Sequence, residues 1–126
     1  MPLSWVETDD NVTVLSVDAK MSVDDIDQGL REAVRSLLRN GCNLFLIDLS
    51  KLVYEDHNGL SAWVGILTRV YNLIDNQGGH LRLFQPNQNL IDYLTVCKHC
   101  TLNMSVVDHG ADLESAIKKF QDINDR

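Results

Sequence analysis

Leu44-Phe45-Leu46-Ile47 is the stretch that most restricts what this chain can fold into. Four consecutive apolar residues leave no side for water, so a strand here is covered on both faces. Such a strand sits inside a largely parallel sheet whose connections are helices. The flanking sequence supplies them. Upstream, Ser22 and Asp25 form an acidic capping box, Val23, Ile26, Leu30, Ala33, Val34 and Leu37 recur at helical spacing, and Asn40-Gly41 is a favoured stop. Downstream, the spacing predicts a long helix from about Asn58 to Asn76 that stops at Gly78-Gly79, then a strand from His80 to Phe84 closed by Pro86. A shorter helix from about Asn89 to Val96 follows, then a strand from Met104 to Val107. A last helix turns Leu113, Ala116, Ile117, Phe120 and Ile123 inward and a Glu114/Lys118 pair outward. At the start, Leu3 to Glu7 and Val12 to Val17 read as a hairpin around Thr8-Asp9-Asp10-Asn11. Strands alternating with helices give an α/β class: a mixed sheet of about five strands with four helices, in one domain over 1–126.

Charge narrows the function. With a net charge of −7 and only eleven scattered Lys and Arg residues, the chain is a poor match for polyanions, and no nucleic-acid partner is expected. No apolar run approaches the ~20 residues of a membrane helix, and Met1-Pro2-Leu3-Ser4-Trp5 lacks the basic start and apolar core of a signal peptide. A cytoplasmic location without membrane insertion is expected. Cys42, Cys97 and Cys100 are an odd set, read as reduced thiols.

On the long helix, Leu60, Trp63, Val64, Leu67, Tyr71 and Ile74 fall on one face and Ser61, Thr68, Arg69, Asn72 and Asp75 on the other. A flank of Ala62, Ile66, Val70 and Leu73 widens the apolar arc beyond the ~100° a surface helix needs. Either a neighbouring helix covers this flank or it is a docking surface.

Nothing in the chain adds up to a catalytic centre, and no enzyme, metal or cofactor is expected. Asp56 and His57 are adjacent, point in different directions, and have no nucleophile spaced to use them. Cys97-Lys98-His99-Cys100 has CxxC spacing, but a structural zinc site wants four ligands and no second pair exists. The early acidic residues Asp9, Asp10, Asp18, Asp24, Asp25 and Asp27 suit solvated turns and a helix start. No Gly-rich loop is present to cradle a phosphate.

The order of these elements, with Asp48-Leu49-Ser50 leading to Asp56-His57-Asn58-Gly59-Leu60, resembles the STAS family, which includes bacterial anti-sigma factor antagonists. Gly78-Gly79 before Leu81-Arg82-Leu83-Phe84, Pro86 after that strand, and Glu114-Ser115-Ala116 in the closing helix extend the resemblance over nearly the whole chain. It implies the STAS (SpoIIAA-like) fold, and regulation by binding a protein. The implied partner is an anti-sigma factor or related histidine-kinase-like ATPase, and the implied contact residues are Asp56, His57, Asn58, Gly59, Leu60 and Ser61. A homodimer is compatible with the same reading. In an alternative reading the chain resembles, at Asp56, Gly59 and Leu60, the STAS accessory subunit of lipid-transport ATPase complexes.

The sequence departs from the family pattern at its switch. Where relatives carry two serines, the second being the usual phosphoacceptor, this chain has His57 and Asn58. A phosphoserine adds roughly −1.5 to −2 charge, enough to break a complex that had packed against a neutral hydroxyl. An asparagine caps a helix about as well as serine but accepts no phosphate. Loss of the covalent switch at Asn58 is therefore expected, with Ser50 before the loop and Ser61 inside the helix as poorer substitutes.

Overall fold

A computed structural model of the chain describes residues 3–7, 11–17, 23–51, 57–96, 106–108 and 112–124. The elements run β1 (Leu3–Glu7), β2 (Val12–Val17), α1 (Val23–Arg39), β3 (Leu44–Asp48), α2 (His57–Asn76), β4 (His80–Phe84), α3 (Gln88–Val96), β5 (Val107–Asp108) and α4 (Leu113–Asn124). They build one five-stranded sheet in the order β1-β2-β3-β4-β5. β1 pairs antiparallel with β2, and every other pairing is parallel. This mixed sheet of five strands with four helices is the architecture expected from the sequence.

The apolar run occupies the centre of the sheet and divides its side chains between two layers. Phe45 and Ile47 enter a core shared with α1, α2 and α3, while Leu44 and Leu46 pack with Ala116, Ile117 and Phe120 of α4. Register aligns the larger layer: Leu15, Ile47, Leu83 and Val107 are successive partners across four strands, and all are buried. The sequence expectation for the last strand needs correction. β5 is Val107–Asp108, and Met104 and Ser105 lie outside the described residues. Asp108 is buried, and a polar residue in a strand interior carries no apolar signal.

The open question about the α2 flank resolves toward the interior. Ile66 and Val70 are 0 % exposed, enclosed in the core that α2 shares with the sheet and with α1, which packs against it. Burying each stabilises the fold by about 1.5–3 kcal/mol. A polar tie runs beside this contact: Asp27 of α1 sits 3.2 Å from Arg31 Nε and 3.1 Å from Arg69 Nη2 of α2. Asp27 is thus more than a solvated acid at a helix start.

α1 and α2 end in the same way. Past α1, Cys42 and Gly41 donate their N–H groups to the carbonyls of Leu37 and Leu38; past α2, Gly79 and Gly78 donate to Ile74 and Asp75. In each Schellman motif a glycine takes the left-handed backbone, Gly41 at φ 92° and Gly78 at φ 77°. Three residues beyond Gly41 starts β3, and two beyond Gly78 starts β4.

Candidate functional site

Because β2, β3, β4 and β5 are parallel and each is followed by a helix, all four helices begin at the carboxyl edge of the sheet. The partial positive charge of those helix starts gathers at one end of the molecule. There the chain leaves β3 through a tight turn in which Asp48 Oδ1 accepts from the Ser50 N–H at 2.9 Å, and Leu49 N–H donates to the Phe84 carbonyl at 3.0 Å. This geometry gives Asp48-Leu49-Ser50 its role: Asp48 bends the backbone, buried Leu49 anchors it, and Ser50 is exposed.

α2 begins one residue earlier than the spacing predicts, so His57, Asn58, Gly59 and Leu60 form its first turn. Asp56 lies outside the described residues, as do Cys97 and Cys100. Ser61 is exposed on the outer face of the helix, while Trp63 and Val64, one turn further in, are buried. The structure therefore places His57 to Ser61 together at the end of a helix whose next turn is fixed in the core.

Two contributors to this edge escape a motif-based reading. Gln85, between β4 and α3, takes a left-handed backbone at φ 48° and donates its N–H to the Asp108 carbonyl at 3.3 Å, joining the ends of β4 and β5. Asn87 caps α3, its Oδ1 accepting from Leu90 N–H at 3.0 Å. That cap starts α3 at Gln88, one residue before the expected Asn89; an Asn directly before a helical run was the available signal. At the start of α4, Asp112 accepts from the Ser115 hydroxyl at 2.9 Å and the Glu114 N–H at 3.2 Å, and these two bonds hold its carboxyl below the usual carboxylate range.

Residues 5–112 match the pattern that defines the STAS domain. The chain belongs to the STAS domain family. Solved structures share the fold at low sequence identity. Moorella thermoacetica RsbS carrying a serine-to-glutamate substitution superposes with a TM-score of 0.67 at 17% identity, covering 100% of each chain. A Thermotoga maritima candidate anti-sigma factor antagonist gives 0.67 at 18% identity over 94% of each chain. The anti-sigma factor antagonist SpoIIAA in its unphosphorylated form gives 0.65 at 12% identity over 93% of this chain and 96% of that one. No curated protein matches the sequence significantly. Among the described residues of this STAS domain, no helix is long and apolar enough to cross a membrane. Cys42 packs, partly buried, against the larger core.

Proposed function

We propose that this STAS domain is a protein-binding regulator, an anti-sigma factor antagonist that docks on a switch-kinase-type anti-sigma factor through Asp56 to Ser61 without being phosphorylated at that loop. The family match over residues 5–112 carries the reading, with two structural neighbours, SpoIIAA and the Thermotoga maritima protein, that bear the antagonist name. The first turn of α2 stands at the carboxyl edge, its outer face marked by exposed Ser61 and its inner face fixed by Trp63. Asn58 holds the position that the family resemblance gives to the phosphoacceptor, and its carboxamide offers a kinase no hydroxyl.

Titration calorimetry of the purified chain against a switch-kinase-type anti-sigma factor from the same cell tests this. Wild type binds, and Asn58→Asp weakens binding about tenfold or more, about 1.4 kcal/mol, because a carboxylate puts charge where a neutral amide had packed. After incubation with that kinase and ATP, mass spectrometry finds no phosphate on the chain. Stoichiometric phosphate on residues 48–61, or equal affinity of wild type and Asn58→Asp, overturns the reading. Binding to a lipid-transport ATPase instead would assign the chain to the accessory-subunit class.

A further inference from the structure

A groove of about 310 Å³ opens at the opposite end of the molecule, between the last turns of α1 and α2. Arg35, Leu38 and Arg39 line it from α1, and Leu73, Asn76 and Gln77 from α2 and the turn after it. Leu73 is the last member of the apolar flank that α1 covers: Ile66 and Val70 are fully enclosed, but Leu73 and Leu38 stay half-buried in the groove. Around these two aliphatic side chains stand two exposed guanidiniums and two exposed carboxamides, and no carboxylate lines the groove. On a chain of net charge −7 this is a local reversal of sign.

The arginines have no structural duty that accounts for them. Cations near a helix C-terminus commonly satisfy its last carbonyls, but the Schellman bonds of Gly41, Cys42, Gly78 and Gly79 already engage those of Leu37, Leu38, Asp75 and Ile74. Among the described residues the ion pairs are Arg31 with Asp27 and Arg69 with Asp27, and Glu32, the carboxylate nearest Arg35 along α1, accepts from Gln28 Nε2 at 3.3 Å and forms no ion pair with Arg35. Arg35 and Arg39 remain available, one turn apart on the same face.

We propose that this groove is a second docking site, for a segment of a partner protein that carries carboxylates on either side of one aliphatic side chain. The aliphatic group rests on Leu38 and Leu73, the guanidiniums of Arg35 and Arg39 take the carboxylates in paired hydrogen bonds, and the amides of Asn76 and Gln77 donate to the segment's backbone carbonyls. The groove lies about 27 Å from Asn58 along the α2 axis, at 1.5 Å per residue, so the inference does not rest on the reading of the helix start. The same domain can hold one partner at each end.

Nitrogen-15 NMR of the intact chain tests the proposal. The probe is an acetylated decapeptide in which glutamate pairs flank one central leucine; its controls replace every glutamate by lysine, or the leucine by serine, and inorganic phosphate serves as a bare anion. The glutamate–leucine peptide is expected to shift the Arg35 and Arg39 Nε–H signals and the Asn76 and Gln77 carboxamides, saturably and less so at high salt. The double variant Arg35→Gln with Arg39→Gln, both exposed and so compatible with an unchanged spectrum elsewhere, is expected to lose about tenfold or more in affinity, equivalent to about 1.4 kcal/mol. No shifts with that peptide, equal binding of the lysine or serine controls, or affinity unmoved by the double variant overturns the proposal. Phosphate matching the peptide would make this a bare anion site. Self-association in sedimentation that the double variant abolishes would make the occupant a second copy of this chain. Either result overturns a partner segment as the occupant.

Discussion

Gly78 and Gly79 end α2 for two different physical reasons, and an alanine at each separates them. At Gly78 φ is +77° and an added Cβ meets nothing within 4 Å, so the cost is conformational alone. The left-handed backbone costs alanine about 1–2 kcal/mol, offset by about 0.4–1 kcal/mol from the stiffer unfolded chain. At Gly79 the backbone is not left-handed, but a Cβ stands 2.8 Å from the Asn43 carbonyl oxygen and 2.9 Å from Ile74 Cγ2. Neither neighbour yields readily: that oxygen accepts from His80 N–H at 2.8 Å where β4 begins beside β3, and Ile74 is 1 % exposed. Overpacking costs about 1–3 kcal/mol, and a strained hydrogen bond adds about 1 kcal/mol. With a urea slope of about 2 kcal/mol per molar, the unfolding midpoint is expected to fall by about 0.5 M for Gly78→Ala and about 1.5 M for Gly79→Ala. Asparagine tolerates the left-handed backbone, so Gly78→Asn recovers most of the loss and Gly79→Asn recovers none. The readout is helical circular dichroism against urea. A Gly79→Ala midpoint at or above that of Gly78→Ala, with the slope unchanged, refutes the close approach of Gly79 to Asn43.

Ile66→Ala is expected to destabilise by about 2–5 kcal/mol, and Ile66→Glu with Val70→Glu to abolish the fold; a double variant with native circular dichroism would place α1 elsewhere. Asn87→Ala removes the α3 cap at a cost of about 1 kcal/mol, and amide exchange is expected to quicken first at Leu90, whose N–H loses its acceptor. Asp112 has its folded-state pKa lowered from 3.8, so its contribution to stability is present above the unfolded pKa and is lost as pH falls through the folded one. A carbon-detected titration is expected to show its midpoint below 3.8, and Ser115→Ala to move that midpoint upward, since the Ser115 hydroxyl is the largest cause of the depression.

What could be read from the sequence divides along the range of the forces involved. The central strand, the two long helices and their glycine stops were legible because solvent exclusion and backbone handedness are local demands: Leu44 to Ile47 and Gly78 state them outright. The cover over Ile66 and Val70 was not, because two faces of one helix look alike until the partner helix is placed. Asp27 hid its tie to Arg69 for the same reason, since 42 positions separate them in the chain. β5 runs one residue past its expected end because Asp108 is buried against expectation for its type. At the candidate site, Asp48-Leu49-Ser50 and the start of α2 were visible as a pattern while Gln85 was not, and at the opposite end the cationic groove, assembled from two helices, was hidden as well.

Trp63, Ile66, Leu67 and Val70 hold α2 against the sheet and α1 from its second turn onward. A close-packed interior does not deform by small increments, so this helix has no room to slide or swing in answer to an event at its tip. A partner docking at this end, as proposed, would therefore have to read it by direct touch, beginning with exposed Ser61, because the buried turns beyond carry no movement away from it.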